Sequence, residues 1–419
     1  MNATVRTDMK NAGLMDPDVI ENPFAYYAAM RNGPALSRDP GTGFWVAWRH
    51  DVVRAILRDN ENFSARLHQP DKRPGGVPQR VQDILATGIP PAHTIHTNDP
   101  PDHTRYRKLV DGVFSNARVR QMENYIARIV DDLLDGMMDR TEVELIRSFC
   151  APVPLAVIAD VFGVDRAMIP TLKEWSDRYS EMRGMMISDA RLEENAQIVV
   201  TAQRYFAERR AERRIHRRDD LLSDLVHATL DEQGSRLTEP ELNSITFQFL
   251  VAGNETSTST IAECVRLLAE NPALQKRLRD DPTEIPPFIE EVLRLATPVQ
   301  GVLRMAVRDV TVEDTVIPAG SLVHIRLGSA NRDGAAFSDP DAVDPARRNL
   351  SSHLGFGAGV HFCIGAAVAR AEVRLALTGL LRRTRDIRLM PGMNDLRHHP
   401  IFHLRGLMKL HVGYDAVRP

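Results

Sequence analysis

The sequence predicts a mainly α chain with minor β-sheets, and three kinds of stretch predict it. Thr238-x-x-Glu241 is a capping box opening a helix that runs to about Glu270, roughly 50 Å at 1.5 Å per residue. A helix that long must cross the molecule. From His353 to Glu372 the chain reads HLGFGAGVHFCIGAAVARAE, a loop of small residues that ends in Cys363 and turns into a helix interrupted only by Gly379 as far as Leu381. Strand-like content is confined to short aromatic and β-branched runs, at Gly43–Trp48 and near 309–325, where the chain turns at Pro318–Gly320.

Composition excludes several classes. The chain has 419 residues, 53 basic and 56 acidic, so no global charge recommends nucleic acid or an anionic membrane as partner. The three cysteines, Cys150, Cys264 and Cys363, are odd in number and widely spaced, which provides neither a disulfide framework nor a paired-cysteine metal site. A reducing cytoplasm fits. The N-terminal MNATVRTDMK is polar, with no signal-like pattern and no run of eighteen apolar residues anywhere.

In chain order, residues 1–22 read as an extended arm before a helix near Pro23, with a strand at 43–48 and a helix from about His50 to Asp59. Residues 69–79 are too rich in Pro and Gly for regular structure. The double proline at Pro100–Pro101, followed by Asp102, marks a helix start, and His103 and Arg107 then share a face. Further helices are expected over 117–140, 151–163, 167–180 and 190–215. The arginine run at 209–218 reads as a solvated helix end, because acids interleave with it.

Two sites are not explained by structural economy. In the long helix, Ala252-Gly253-Asn254-Glu255-Thr256 combines a glycine, costing about 1 kcal/mol against alanine, with a threonine that can bond back to the carbonyl four residues earlier. Something there needs room and a hydroxyl. In the cysteine loop, a lone cysteine among apolar residues is ordinarily an inert small hydrophobe. Against that stands the spacing Phe356-x-Gly357-x-Gly-x-His361-x-Cys363-x-Gly365, with glycines that let the backbone press against something flat and amides nearby that stabilise a thiolate.

That spacing resembles the haem-binding signature of the cytochrome P-450 family of haem-thiolate monooxygenases, with His361 where arginine is common. The resemblance extends over essentially the whole chain. It implies one P-450 domain over 1–419, with haem b between the long helix and the cysteine loop, and Cys363 as the iron ligand. His103, Arg107, Arg304 and His361 would face the haem propionates, with Ala252, Gly253, Phe356, Gly357 and Gly365 also at the cofactor. Thr256 and Glu255 would manage protons where O₂ is activated. Glu291 and Arg294, an E-x-x-R pair of little value by itself, would join Arg347 in a buried structural cluster.

The same resemblance places Ile95, His96, Met182, Met185, Val251, Ala252, Val299, Gln300, Val302, Leu303, Ile401 and Phe402 around the substrate, and makes residues 69–79 a lid. Nearly all the pocket residues are apolar, so a hydrophobic small molecule is expected, hydroxylated or dealkylated, with Gln300 and His96 as the polar groups that orient it. Because no flavin domain is expected, electrons would come from NAD(P)H through an FAD-dependent reductase and a ferredoxin docking near Arg105, Lys108 and Arg120. The expected state is a cytoplasmic monomer. A peroxide-driven relative would typically lack the Glu255–Thr256 pair, and a non-catalytic haem protein would keep Cys363 without needing proton delivery.

Overall fold

The computed structural model describes residues 12–67, 76–112, 114–183, 186–231 and 233–417. The chain divides into two compact units, one built from Met1–Leu67, Glu290–Cys363 and Arg397–Arg405, the other from His68–Ile289, Ile364–Leu396 and Gly406–Pro419.

The first unit is organised by a five-stranded sheet in the order Leu36–Arg38, Trp45–Ala47, Leu322–Ile325, Val302–Ala306, Phe63–Ser64. The pairing is antiparallel except between Trp45–Ala47 and Leu322–Ile325, and it sets Leu303 opposite His324. The helix His50–Arg58 lays Val53, Ile56 and Leu57 on a core shared with Ala306, Val323 and Ile325. That burial, at roughly 25 cal/mol per Å², is what the alternating strand pattern secures. The expected pair of strands near 309–325 is three: Val310–Val312 and Thr315–Ile317 form a hairpin, and the turn at Pro318–Gly320 leads into Leu322–Ile325 of the larger sheet. The N-terminal arm is also more regular than expected. Pro17–Glu21 is helical because Asp16 caps it, accepting from the Asp18 N–H, and Pro17 supplies a preset φ at the first position.

The second unit is helical, and the long helix Glu239–Glu270 is its principal element. The capping box is formed in both directions between Thr238 and Glu241, and Asn271 ends the helix while its side chain caps the next one. The helices Pro152–Val161, Ile169–Arg183, Asp189–Ile215 and Ala366–Arg383 all pack on it. Trp175 and Phe247 each meet Phe206 edge-to-face, with centroids 5.8 and 6.2 Å apart. Each such pair adds about 0.5–1.5 kcal/mol beyond its buried area. A three-stranded sheet, Glu142–Glu144, His411–Ala416 and Thr384–Leu389, completes the unit. Of the stretch expected as a lid, residues 69–75 lie outside the described residues, and a helix, Gln79–Ala86, begins at its end. Val81 buries against Leu192 and Ala196, which holds that helix in place.

Candidate active site

In the first unit, the cysteine loop is held by contacts that only its small residues allow. Gly357 and Gly359 both adopt φ +72°, and a Cβ on Gly359 would lie 2.6 Å from the Leu57 carbonyl oxygen. The Leu354 N–H donates to Asn331 Oδ1 at 2.7 Å, and the Cys363 N–H donates to the Phe356 carbonyl at 2.9 Å, closing the loop on itself. Cys363 is exposed, whereas Cys150 and Cys264 are fully buried and burial pushes both their thiols up. Beside the exposed sulfur, Val360 and Phe362 are also open, at 39% and 43%. A soft sulfur ligand flanked by apolar surface suits a flat, apolar, iron-bearing group, and the rigid loop fixes where that group would sit. Arg304, the expected propionate partner, is 7% exposed and donates to the Leu303 carbonyl at 2.9 Å among its contacts.

The E-x-x-R pair is fully enclosed, with Glu291 and Arg294 both at 0% exposure. Arg294 binds Glu291 through Nε at 2.7 Å and Nη2 at 2.8 Å and donates to the carbonyls of Asn331, Pro340 and Ala342. Arg347 Nε joins the same carboxylate at 3.0 Å, and the Asp344 N–H donates to it at 2.9 Å. The structure thus brings all three expected residues together, two guanidinium groups sharing one carboxylate and giving their remaining donors to backbone carbonyls.

The apolar residues expected at the substrate are divided between the units. Val299 is bridged to Leu404 in the first unit, where Val302 and Leu303 are half-buried and Ile401 and Phe402 buried. Gln300 does not have the free polar group expected of it. Its amide nitrogen donates to the Ala296 and Thr297 carbonyls at 3.0 and 2.6 Å, and its oxygen accepts from the Tyr27 hydroxyl at 2.9 Å. The turn it occupies needs those bonds, since Thr297 sits at φ +43°. In the second unit Ile95 belongs to the hydrophobic core and Met182, partly buried, packs against it, Val251 is half-buried, His96 is exposed, and Met185 lies outside the described residues.

Within the long helix, Ala252 is exposed on an otherwise largely enclosed element, with Glu255 and Thr256 partly open beside it. A Cβ on Gly253 would press on the Ile158 side chain at 3.2 Å, so the helix Pro152–Val161 packs closely at this point. The Thr256 hydroxyl donates to the Ala252 carbonyl at 2.8 Å. Burial pushes the Glu255 carboxyl up to about 7; nearby Asp177 adds to the shift and Lys173 offsets part of it. His103 is 3% exposed, and Arg107 pairs with Asp111 at 2.9 Å on its own helix.

Sequence reasoning missed two groups here. Glu372, on the helix after the cysteine, is buried and accepts from Ser257 at 2.6 Å; burial pushes its carboxyl up to about 8, with the serine bond offsetting a part. An acid within AAVARAEVRLAL was the available signal. Gln248 was the other: it lies four and eight residues before Ala252 and Thr256, and so on their face of the helix.

Comparison with known proteins decides the family. The cytochrome P450 family model matches residues 40–387. The chain belongs to the cytochrome P450 family. It is 38% identical over 403 residues to cytochrome P450 107B1 of Saccharopolyspora erythraea, covering 93% of this chain and 94% of that one. Identity to the vitamin D(3) 25-hydroxylase of Pseudonocardia autotrophica is 32% over 395 residues, with 94% of each chain covered. The solved structure of CYP109Q5 from Chondromyces apiculatus matches with TM-score 0.83 and 34% identity, over 97% of this chain and 98% of that one. The fold is therefore the P450 fold, the protein is a haem-thiolate monooxygenase, and no helix among the described residues is long and apolar enough to cross a membrane.

Proposed function

We propose that this P450 binds haem b through Cys363 and inserts one atom of O₂ into a hydrophobic small molecule, by hydroxylation or oxidative dealkylation. The observation that carries the reading is the contrast among the cysteines: one exposed thiol at the end of a glycine-locked loop, two buried and inert. His103, Arg107, Arg304 and His361 are the cations and donors that would meet the haem carboxylates. The bound haem supplies the oxygen-activating chemistry. Glu255, with a carboxyl near 7, holds and releases a proton at neutral pH, and Thr256 presents its hydroxyl when the bond to the Ala252 carbonyl is exchanged.

Electrons would reach the site from NAD(P)H through a ferredoxin and its FAD-dependent reductase, with the protein working as a cytoplasmic monomer. A hydrophobic substrate is supported by the apolar side chains Val299, Val302, Leu303, Ile401 and Phe402 and by the family relative that acts on vitamin D3. The decisive experiment is the spectrum of the reduced protein under CO. Wild type should show the strongly red-shifted band of thiolate ligation and Cys363→Ser should lack it; a band retained in the variant refutes the assignment. Thr256→Ala should still consume NADH while diverting much of it to peroxide, and unchanged coupling would remove Thr256 from proton handling.

A further inference from the structure

The cysteine loop begins at a histidine whose two ring nitrogens are both committed. His353 is 8% exposed; the Gly355 N–H donates to its Nδ1 at 3.0 Å, and its Nε2 lies 3.0 Å from Glu290 Oε2 on the helix Ile285–Ala296. A backbone N–H can only donate, so Nδ1 is the acceptor and Nε2 carries the N–H that Glu290 accepts. One tautomer is thereby fixed.

The bond from Gly355 back to residue 353 is the imidazole counterpart of the turn that an asparagine or aspartate closes with the amide two residues on. It is made at close quarters: a Cβ on Gly355 would lie 3.1 Å from His353 Nδ1 and 3.1 Å from the Leu293 carbonyl oxygen. From there the bonds run on toward the sulfur. The Gly357 N–H donates to the Leu354 carbonyl at 2.9 Å, the Cys363 N–H donates to the Phe356 carbonyl at 2.9 Å, and the His353 and Phe356 rings meet with centroids 6.0 Å apart. Glu290 adjoins Glu291, so the helix turn that anchors Arg294 and Arg347 also holds the entrance of the loop. Filling this buried place would require neither nitrogen.

We infer that His353 is a positioning residue for the iron ligand: by accepting the Gly355 N–H it sets the Leu354–Gly357 turn, and through the Phe356 carbonyl it sets where Cys363 presents its sulfur. The Glu290 bond keeps the imidazole turned for that task. The inference rests on the reading of Cys363 as the haem ligand.

The test is the thiolate band of the reduced, CO-bound holoprotein in wild type, His353→Asn, His353→Gln and His353→Phe. Asparagine keeps an acceptor for the Gly355 N–H, glutamine reaches toward Glu290 with its amide one carbon too far out for that turn, and phenylalanine keeps the ring contact alone. In dilute urea, wild type and His353→Asn should hold the band until the helices unfold. In His353→Gln and His353→Phe the band should decay roughly threefold to tenfold faster, the worth of one hydrogen bond, while the far-UV circular dichroism stays unchanged. A band as durable in His353→Gln or His353→Phe as in wild type, a band that decays as fast in His353→Asn as in those two, or helices lost together with the band would each overturn the role. A variant that does not fold at all counts with the last of these. A wild type without the thiolate band would instead remove the haem assignment beneath the inference, whatever the variants do.

Discussion

Glu291 and Glu372 are both buried, and the protein treats them oppositely. Glu291 meets two guanidinium groups and a backbone N–H, and the arginines are in turn satisfied by carbonyls from residues 331–342. Glu372 meets one serine hydroxyl, and its carboxyl is pushed up to about 8. Burial of a carboxylate is tolerable only if its charge is answered or surrendered. The first arrangement fixes a meander of chain that precedes the cysteine loop. The second keeps a proton in the helix pair that carries Thr256 and the residues after Cys363.

The largest effect is expected from breaking the first arrangement. Arg294→Ala leaves Glu291 enclosed with half its partners, and should lower stability by about 3–5 kcal/mol. That is a large share of a typical folding free energy of about 5–15 kcal/mol, so a greatly reduced urea midpoint or a failure to accumulate is the expected result. A midpoint near that of wild type would show that the cluster is not enclosed as described.

Next comes the pH dependence that the second arrangement imposes. A carboxyl raised from its ordinary 4.5 to about 8 binds its proton more tightly in the folded than in the unfolded chain. Its contribution is present below about 4.5 and is lost as pH rises toward 8, a change on the order of a few kcal/mol. Glu372→Gln, which keeps the shape and needs no proton, should flatten the fall in urea stability between pH 5 and 8. An identical slope in wild type and variant would contradict the neutral state.

Smallest in stability, but visible in turnover, is Glu255. Burial raises its carboxyl as well, though less than that of Glu372, so Glu255→Gln should remove a smaller fall of urea stability with rising pH than Glu372→Gln does. With its carboxyl near 7, product formation by wild type should decline as pH rises through that value, because the acid form is lost, and the variant should be slower and flat across it. A matching pH profile in the two proteins would place the proton donor elsewhere.

Much of this was legible in the residues. The capping box at Thr238 and Glu241 forms as read, and the helices over 152–161, 169–183 and 189–215 follow the expected spans closely, because local periodicity and caps act over short range. Gln300 was not legible as a structural residue. Its bonds run to Tyr27, 273 residues away, and a polar side chain next to apolar pocket residues looks the same in sequence whether it faces a ligand or closes a turn. Gly253 has a packing neighbour hidden in the same way, since the Ile158 that approaches it is remote in the chain.

By itself, the sequence determined the family and the order of the helices, because these are carried by contiguous motifs and local periodicity. Only the tertiary structure decided which polar side chains are committed and which are left over. Gln300 and Gln248 are the same residue type in apolar surroundings. One is closed off by Tyr27 and two carbonyls, the other is held by Thr94 at one end and unmatched at the other. Hydrogen-bond capacity is a property of the residue, but its satisfaction depends on groups that folding brings from elsewhere in the chain.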